Sequence, residues 1–422
     1  MSYNLSVFHT LGEKYPTFAE LETYLRSPEG GQLRSVSTIA SGSSPLVIFR
    51  SVKGVSDAKQ EHVKWFRSVI WDTVTNRPVC VAPPKADTTP VPTGESSKLA
   101  LIQDFLDGTM INVFRTFAEP DRLQIATRTS LGANGKFYGA SSFEQMFNDA
   151  LAVAGLNREK LCSLLPSPTE DKPSVFASFV LQHPEHRVVT RCHTPRCWIV
   201  HVGSVAKSGD VEIDENLALN PLLARFTLTS YPMTGFRAEA DLDSYFKGLV
   251  DSKGWFWQGL VFKDGKGGRW RLRNPNYLYL RKLRGSEATA VERFLRLRSE
   301  SKVNEYLKHY GEERQVFWDL EEQLRQATRD VYAAYCSVHK SHERKLAQLP
   351  KGVQPCVFRL HSHYLTLLKP NNEKVTMKNA VDLVNNMALF EQRRLMENAT
   401  TLPPVEPIGS ETPSEVPPAA GV

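Results

Sequence analysis

LALIQDFLDGTMINVFRTF, residues 99–117, alternates apolar with polar positions into Leu106-Asp107-Gly108-Thr109 and out again. Period-two patterning on both sides of an Asp-Gly pair predicts a strand, a tight turn and a second strand, an antiparallel hairpin. Working outward, residues 66–72 and 78–82 read as another hairpin around Asn76-Arg77, residues 46–49 as a short buried strand, and the proline-rich residues 83–97 as a loop. Downstream, a strand over 122–128 follows a Glu119-Pro120-Asp121 turn, 175–182 and 198–202 are further strands, and 256–263 pairs with 269–273 across DGKGG. A capping box, Thr17 with Glu20, opens a helix carrying Phe18, Leu21 and Leu25 on one face, and SPEGG stops it. Ser142 and Gln145 repeat that signal before a helix over 142–152, and 241–250 is helical. Sheets with helices outside them predict an α+β domain.

Beyond Gly285 the pattern turns to helix alone. Residues 312–341 space Val316, Phe317, Leu320, Leu324, Val331 and Tyr335 three and four apart, an amphipathic helix facing a core, with two or three more helices ending near Met396. Residues 397–422 are polar, proline-rich and acidic, and are expected to stay disordered. The expected organisation is therefore 1–285, 286–396 and 397–422. A chain of 422 residues, 41% hydrophobic and 23% charged, has ordinary globular composition and the length for two cores. It has no apolar run of bilayer length and no signal-peptide pattern, so neither a membrane nor a secretory route is expected. Six scattered cysteines fit free thiols in a reducing, cytoplasmic setting. The net charge of +6 includes four glutamates and no Lys or Arg after Met396, which leaves +10 on the preceding body, compatible with a polyanionic partner.

Taken in order, FRSVIWDTVTNRPVCVAPPKA (66–86), the central stretch, ATRTSLG (126–132), SFVLQHPEHRVV (178–189), QGLVF (258–262) and RWRLRNPNYLYLRKLRG (269–285) form a series. That series resembles the covalent nucleotidyltransferase superfamily, and within it the phage-type RNA ligases of the tRNA-repair group and their relatives in large DNA viruses. The resemblance runs from Tyr15 to Met396 and implies an adenylyltransferase-type domain of antiparallel sheets flanked by helices, then an all-α domain. In that family the central turn reads Lys-x-Asp-Gly and the lysine takes up AMP. Here the lysine position is Phe105, whose phenyl ring has no lone pair and forms no phosphoramidate.

Carried over residue by residue, the resemblance is lopsided. Val180 stands where many ligases have a glutamate, and Gln258 replaces the glutamate of their Glu-Gly pair, so charge that would hold a hard divalent cation is missing. No catalytic and no metal residue is expected. Arg67, Lys85 and Arg128 match basic positions that contact nucleotide or RNA phosphates, Arg271-Leu272-Arg273 keeps both charges of a terminal Lys-x-Lys, and Asp107 and Gly108 remain. The implied function is a catalytically inactive homologue that keeps a basic groove for RNA or nucleotide phosphates. One alternative is an active ATP-dependent ligase using a displaced lysine, with Lys85 the candidate and ATP and magnesium the cofactors. Another is reuse of the scaffold as a virion-associated component with a protein partner. Three further patterns are weaker. His183, His186, Cys192, His193 and Cys197 crowd one region but fit no standard zinc spacing. GKGGR (265–269) reads as a turn before it reads as a phosphate cradle, and the cations of 281–298 as a solvated helix face before an RNA track.

Overall fold

Thr17 shows how a local signal becomes structure: its side chain accepts from the Glu20 amide while the Glu20 carboxylate accepts from the Thr17 amide at 3.1 Å, closing the capping box. The computed structural model describes residues 2–399 apart from 39–44, 58–59, 88, 95–97, 137–140, 216–222 and 233–235. Its strands are β1 (Ser2–Leu5), β2 (Arg34–Thr38), β3 (Leu46–Arg50), β4 (Val69–Asp72), β5 (Arg77–Val81), β6 (Leu99–Asp104), β7 (Thr109–Thr116), β8 (Glu119–Thr127), β9 (Ser174–Gln182), β10 (Arg196–Val205), β11 (Val211–Asp214), β12 (Ser230–Tyr231), β13 (Gly259–Asp264) and β14 (Arg269–Arg273). Its helices are α1 (Val7–Lys14), α2 (Phe18–Arg26), α3 (Phe143–Val153), α4 (Arg158–Leu164), α5 (Glu239–Lys253), α6 (Pro275–Arg284), α7 (Ala290–Ser299), α8 (Val303–His309), α9 (Arg314–His339), α10 (Gln354–His363), α11 (Met377–Asn385) and α12 (Leu389–Ala399). The chain divides into two compact units, Met1–Arg284 and Gly285–Val422.

The first unit holds three antiparallel sheets, ordered β1-β11-β10-β9-β7-β8, β12-β6-β13-β14 and β2-β3-β4-β5. Alternation sorts the side chains of β9: Phe176 joins a core with the β2–β5 sheet, α1 and α2, whereas Ala177, Phe179 and Leu181 join a second core under α3 and α4. A third core packs Ile102, Leu260 and Phe262 against Phe236 and Leu242. The second unit is helical, with Phe294, Phe317, Leu320, Leu324, Val331, Tyr335, Val357 and Leu360 buried along α7, α9 and α10. The architecture is α+β with antiparallel sheets and C-terminal helices.

The central hairpin does not form. Both of its strands are present, but β6 pairs with β12 and β13, whereas β7 pairs with β8 and β9, so residues 105–108 carry the chain from one sheet to another. The Asp-Gly pair serves the crossing instead of a turn. The Phe105 amide donates to the Gly259 carbonyl at 2.8 Å, which extends the β6–β13 ladder by one residue. Gly108, at φ +154°, lies so close to β9 that a Cβ there would meet the Leu181 carbonyl oxygen at 2.4 Å.

Three smaller expectations also shift. The β7–β8 connection is a turn at Phe117 and Ala118, because Thr116 pairs with Glu119, and Pro120 and Asp121 lie inside β8. Val316 is exposed, since α9 starts at Arg314 and its buried stripe begins one residue later at Phe317. Of the expected tail, residues 400–422 lie outside the described residues, and α12 extends through Ala399.

Candidate functional site

Where the chain crosses between sheets it leaves a recess. One wall is the β7–β9–β10 face, with Gly108, Met110, Val180 and Val200; the other is the β6–β13–β14 face, with Gln103, Val261, Lys263 and Arg269. Phe105 and Arg67 complete the lining with Asp104, Leu106 and Leu228. Val200 reaches the recess as the extra residue of a β-bulge between Ile199 and His201. The cavity volume is about 60 Å³. At roughly 10–15 Å³ per water, its enclosed part has room for a few waters or one small anion.

Strand register sets the charge of the recess. Lys263 pairs with Arg269, Val261 with Arg271 and Gly259 with Arg273, so the three arginines of β14 stand in a row on the same face as Lys263. Arg271 and Arg273 flank the Phe105 ring, with their guanidinium carbons 6.0 and 5.5 Å from its centroid. Neither forms an ion pair among the described residues, and the Arg273 Nε is buried without a hydrogen-bond partner. Burial holds both guanidinium groups below their ordinary range, and for Arg273 the neighbouring Arg271 and Arg281 add to it. Arg67 is pushed down to about 9, first by burial and then by Arg269, Arg128, Arg271 and Arg273. Arg67, Lys263, Arg269, Arg271 and Arg273 outnumber the carboxylates near them, an arrangement that an entering anion relieves.

The acids near the recess are committed elsewhere. Among the described residues that line it, Asp104 is the one carboxylate, and its Oδ1 accepts from the Tyr231 hydroxyl at 2.7 Å and the Trp257 indole at 2.8 Å. Glu215 sits 3.0 Å from Lys263 Nζ, with both side chains almost fully buried. That contact is an ion pair at an angle outside hydrogen-bond geometry.

The expected site residues separate into groups. Arg67 and Gly108 line the recess and Arg271 and Arg273 stand beside Phe105. Arg128 is exposed and does not line it, although its charge is felt by Arg67. Lys85 is exposed on its loop, its amide donating to the Lys64 carbonyl, and is not among the recess residues; the lysine there is Lys263. Asp107 turns inward: its Oδ2 accepts from the Val189 and Thr190 amides at 2.9 and 3.1 Å, and Arg281 lies 3.7 Å from Oδ1. It clamps the 187–194 loop and does not face the recess. Val180 contributes an apolar wall, and Gln258 is buried with its carbonyl accepting from the Asn274 amide.

Lys263, Arg269 and Asp104 were not singled out from sequence. The period-two run Arg269-Trp270-Arg271-Leu272-Arg273 already held the signal for Arg269, whereas Lys263 needed the β13–β14 register. The His/Cys cluster does not converge: the Cys192 thiol donates to the Thr194 carbonyl, Cys197 is buried with its thiol pushed up to about 12, and His183 points to Asp149. No group of three or more metal-ligating side chains comes together among the described residues. GKGGR is a turn capped by Asp264, which accepts from the Lys266 and Gly268 amides. Of the cations over 281–298, Arg293, Arg296 and Arg298 are paired with Glu313, Glu287 and Glu321.

No protein-family model matches the sequence. No curated protein matches it either. Among solved structures, the chain is similar to one titled archaeal ATP-dependent RNA ligase, form 1, with a TM-score of 0.37 and 10% identity over 68% of each chain. At that depth of likeness neither activity nor residue roles pass from that protein to this chain.

Proposed function

We propose that this chain is an RNA-ligase-like protein that holds RNA phosphates at the basic recess and carries no covalent nucleotide intermediate. The observation behind this reading is the set Arg67, Arg271 and Arg273, gathered around Phe105 with no ion-pair partner among the described residues. Guanidinium forks match phosphate oxygens two at a time and remain charged when partly buried. A phenyl ring between them offers a face to the cations and nothing to a phosphorus atom. The enclosed part of the recess has room for a single phosphate group. The one carboxylate in the lining, Asp104, is already occupied by two donors, so the recess offers little to a divalent cation.

Two measurements test this. Incubation with labelled ATP and magnesium, followed by denaturation, gives no labelled protein; a labelled band that disappears in Lys263→Ala or Lys85→Ala overturns the proposal in favour of a displaced nucleophile. RNA binds with an affinity that falls as salt rises, and the Arg271→Ala/Arg273→Ala variant flattens that slope by roughly 0.7 to 0.9 of a unit for each phosphate it no longer neutralises. The variant keeps its fold, because removing two cations from a like-charged cluster relieves repulsion. RNA affinity no better than that of an unrelated basic protein would overturn the reading.

A further inference from the structure

Beside the recess, the same unit carries side chains suited to bases instead of phosphates. Trp255 and Tyr279 are 41% and 42% exposed, with ring centroids 6.1 Å apart and planes at 77°. Phe256, next in sequence to Trp255, meets the basic loop: Arg191 and Arg187 place their guanidinium carbons 4.4 and 5.5 Å from its centroid, and the Thr190 hydroxyl donates to its carbonyl at 2.8 Å. These groups are tied to the recess through two short paths. Trp257, two residues after Trp255, donates its indole N–H to Asp104 in the recess wall. Asn274, directly after Arg273, is fully buried and donates to the Gly254 and Trp257 carbonyls, which fixes the 254–257 loop against the start of α6, the helix that carries Tyr279.

We propose that Trp255 and Tyr279 form a stacking platform for unpaired bases, so that the RNA taken by this protein is single-stranded. The proposal rests on the RNA-binding reading above and adds the strand state. Exposed aromatic rings offer π faces to any base, and the arginines at Phe256 and at the recess match a backbone of phosphates. In a duplex the base faces are hidden by their neighbours and reach no such platform. Charge complementarity selects the occupant: with Arg187 and Arg191 over Phe256, the residue after Trp255, and Arg271 and Arg273 at the recess, a polyanion fits and a basic or neutral peptide does not.

The test compares a single-stranded oligoadenylate with an RNA duplex on the full chain. Trp255→Ala and Tyr279→Ala each weaken oligoadenylate binding by between about fivefold and a hundredfold. The salt slope stays unchanged because every phosphate keeps its cation, and Trp255→Phe and Tyr279→Phe retain most of the affinity. Both residues are half exposed, so the fold persists; the phenylalanine variants separate a loss of stacking from a loss of structure. Wild-type oligoadenylate affinity in both alanine variants overturns the platform, as does equal weakening toward duplex and single strand. The Arg271→Ala/Arg273→Ala variant keeps the two readings apart. If it flattens the salt slope while the aromatic variants change nothing, the platform falls and the recess stands. If the wild-type chain binds no RNA, the recess reading falls and takes the platform with it.

Discussion

Asp107 shows how a residue expected at a ligand site can be taken up by its own fold. Its place beside Gly108 in the sequence leads to the expectation of a phosphate site, yet its carboxylate holds the Val189 and Thr190 amides. Val189 is fully buried, so the amide has no water to turn to once the carboxylate is gone. Asp107→Ala is expected to destabilise the first unit by about 3 kcal/mol, at roughly 1–3 kcal/mol for each amide left unpaired. A urea melt reads this as a lower midpoint. Unchanged stability would show that the loop finds other partners and that Asp107 is free for a ligand. The neighbouring Gly108 is constrained more rigidly still, because its approach to Leu181 leaves no space for a side chain.

At the scale of elements, the fold relies on short-range capping where it can and on register where it must. The capping box of α2 sets that helix against the β2–β5 sheet, where Leu21 and Leu25 are fully buried. Thr17→Ala removes both the hydroxyl acceptor and its bond to Glu20, and is expected to cost about 1 kcal/mol. Thermal unfolding followed by circular dichroism would register a drop of a few degrees; no change would mean that the packing of Leu21 and Leu25 fixes the helix unaided. For β14 the decisive property is alternation: three arginines two apart share one face, and pairing with β13 puts that face beside Lys263. A one-residue slip would send every one of them to the opposite face.

Over the whole molecule, buried histidines make stability depend on pH. His201 is fully enclosed where β10 crosses the β2–β5 sheet, its Nε2 donating to the Val81 carbonyl at 3.0 Å. Burial, then the charge of Lys263, pushes it down to about 3, and burial takes His186 to about 4. An unfolded histidine takes up its proton near pH 6.5, whereas these remain neutral in the folded chain until far lower pH. Their contribution is therefore complete above about pH 6.5 and is lost as pH falls through the window down to 4 and 3, by roughly 1.4 kcal/mol per pH unit for each. Urea midpoints should drop between about pH 6 and 4.5. His201→Leu is expected to reduce that slope by about half, and a slope equal to wild type would place the effect elsewhere.

Whatever a few neighbouring residues can enforce was already legible in the chain. The capped helices, the strands β6 and β7, the β4–β5 and β13–β14 hairpins and the long amphipathic α9 all follow from side-chain periodicity and from donors and acceptors three or four residues apart. The charges of the candidate site were legible too, because RWRLR states its own alternation. Long-range pairing chose which strands became partners. Residues 99–117 carry every local mark of a hairpin, but β6 finds β13 and β7 finds β9, segments more than fifty residues away in the chain. Burial of the apolar side chains of β6 and β7 in different cores outweighs the preference of one Asp-Gly pair for a tight turn. The recess follows from that exchange, since it lies where the chain passes between sheets. Lys263, Asp104 and the inward turn of Asp107 could be placed only once distant strands had brought those sheets together.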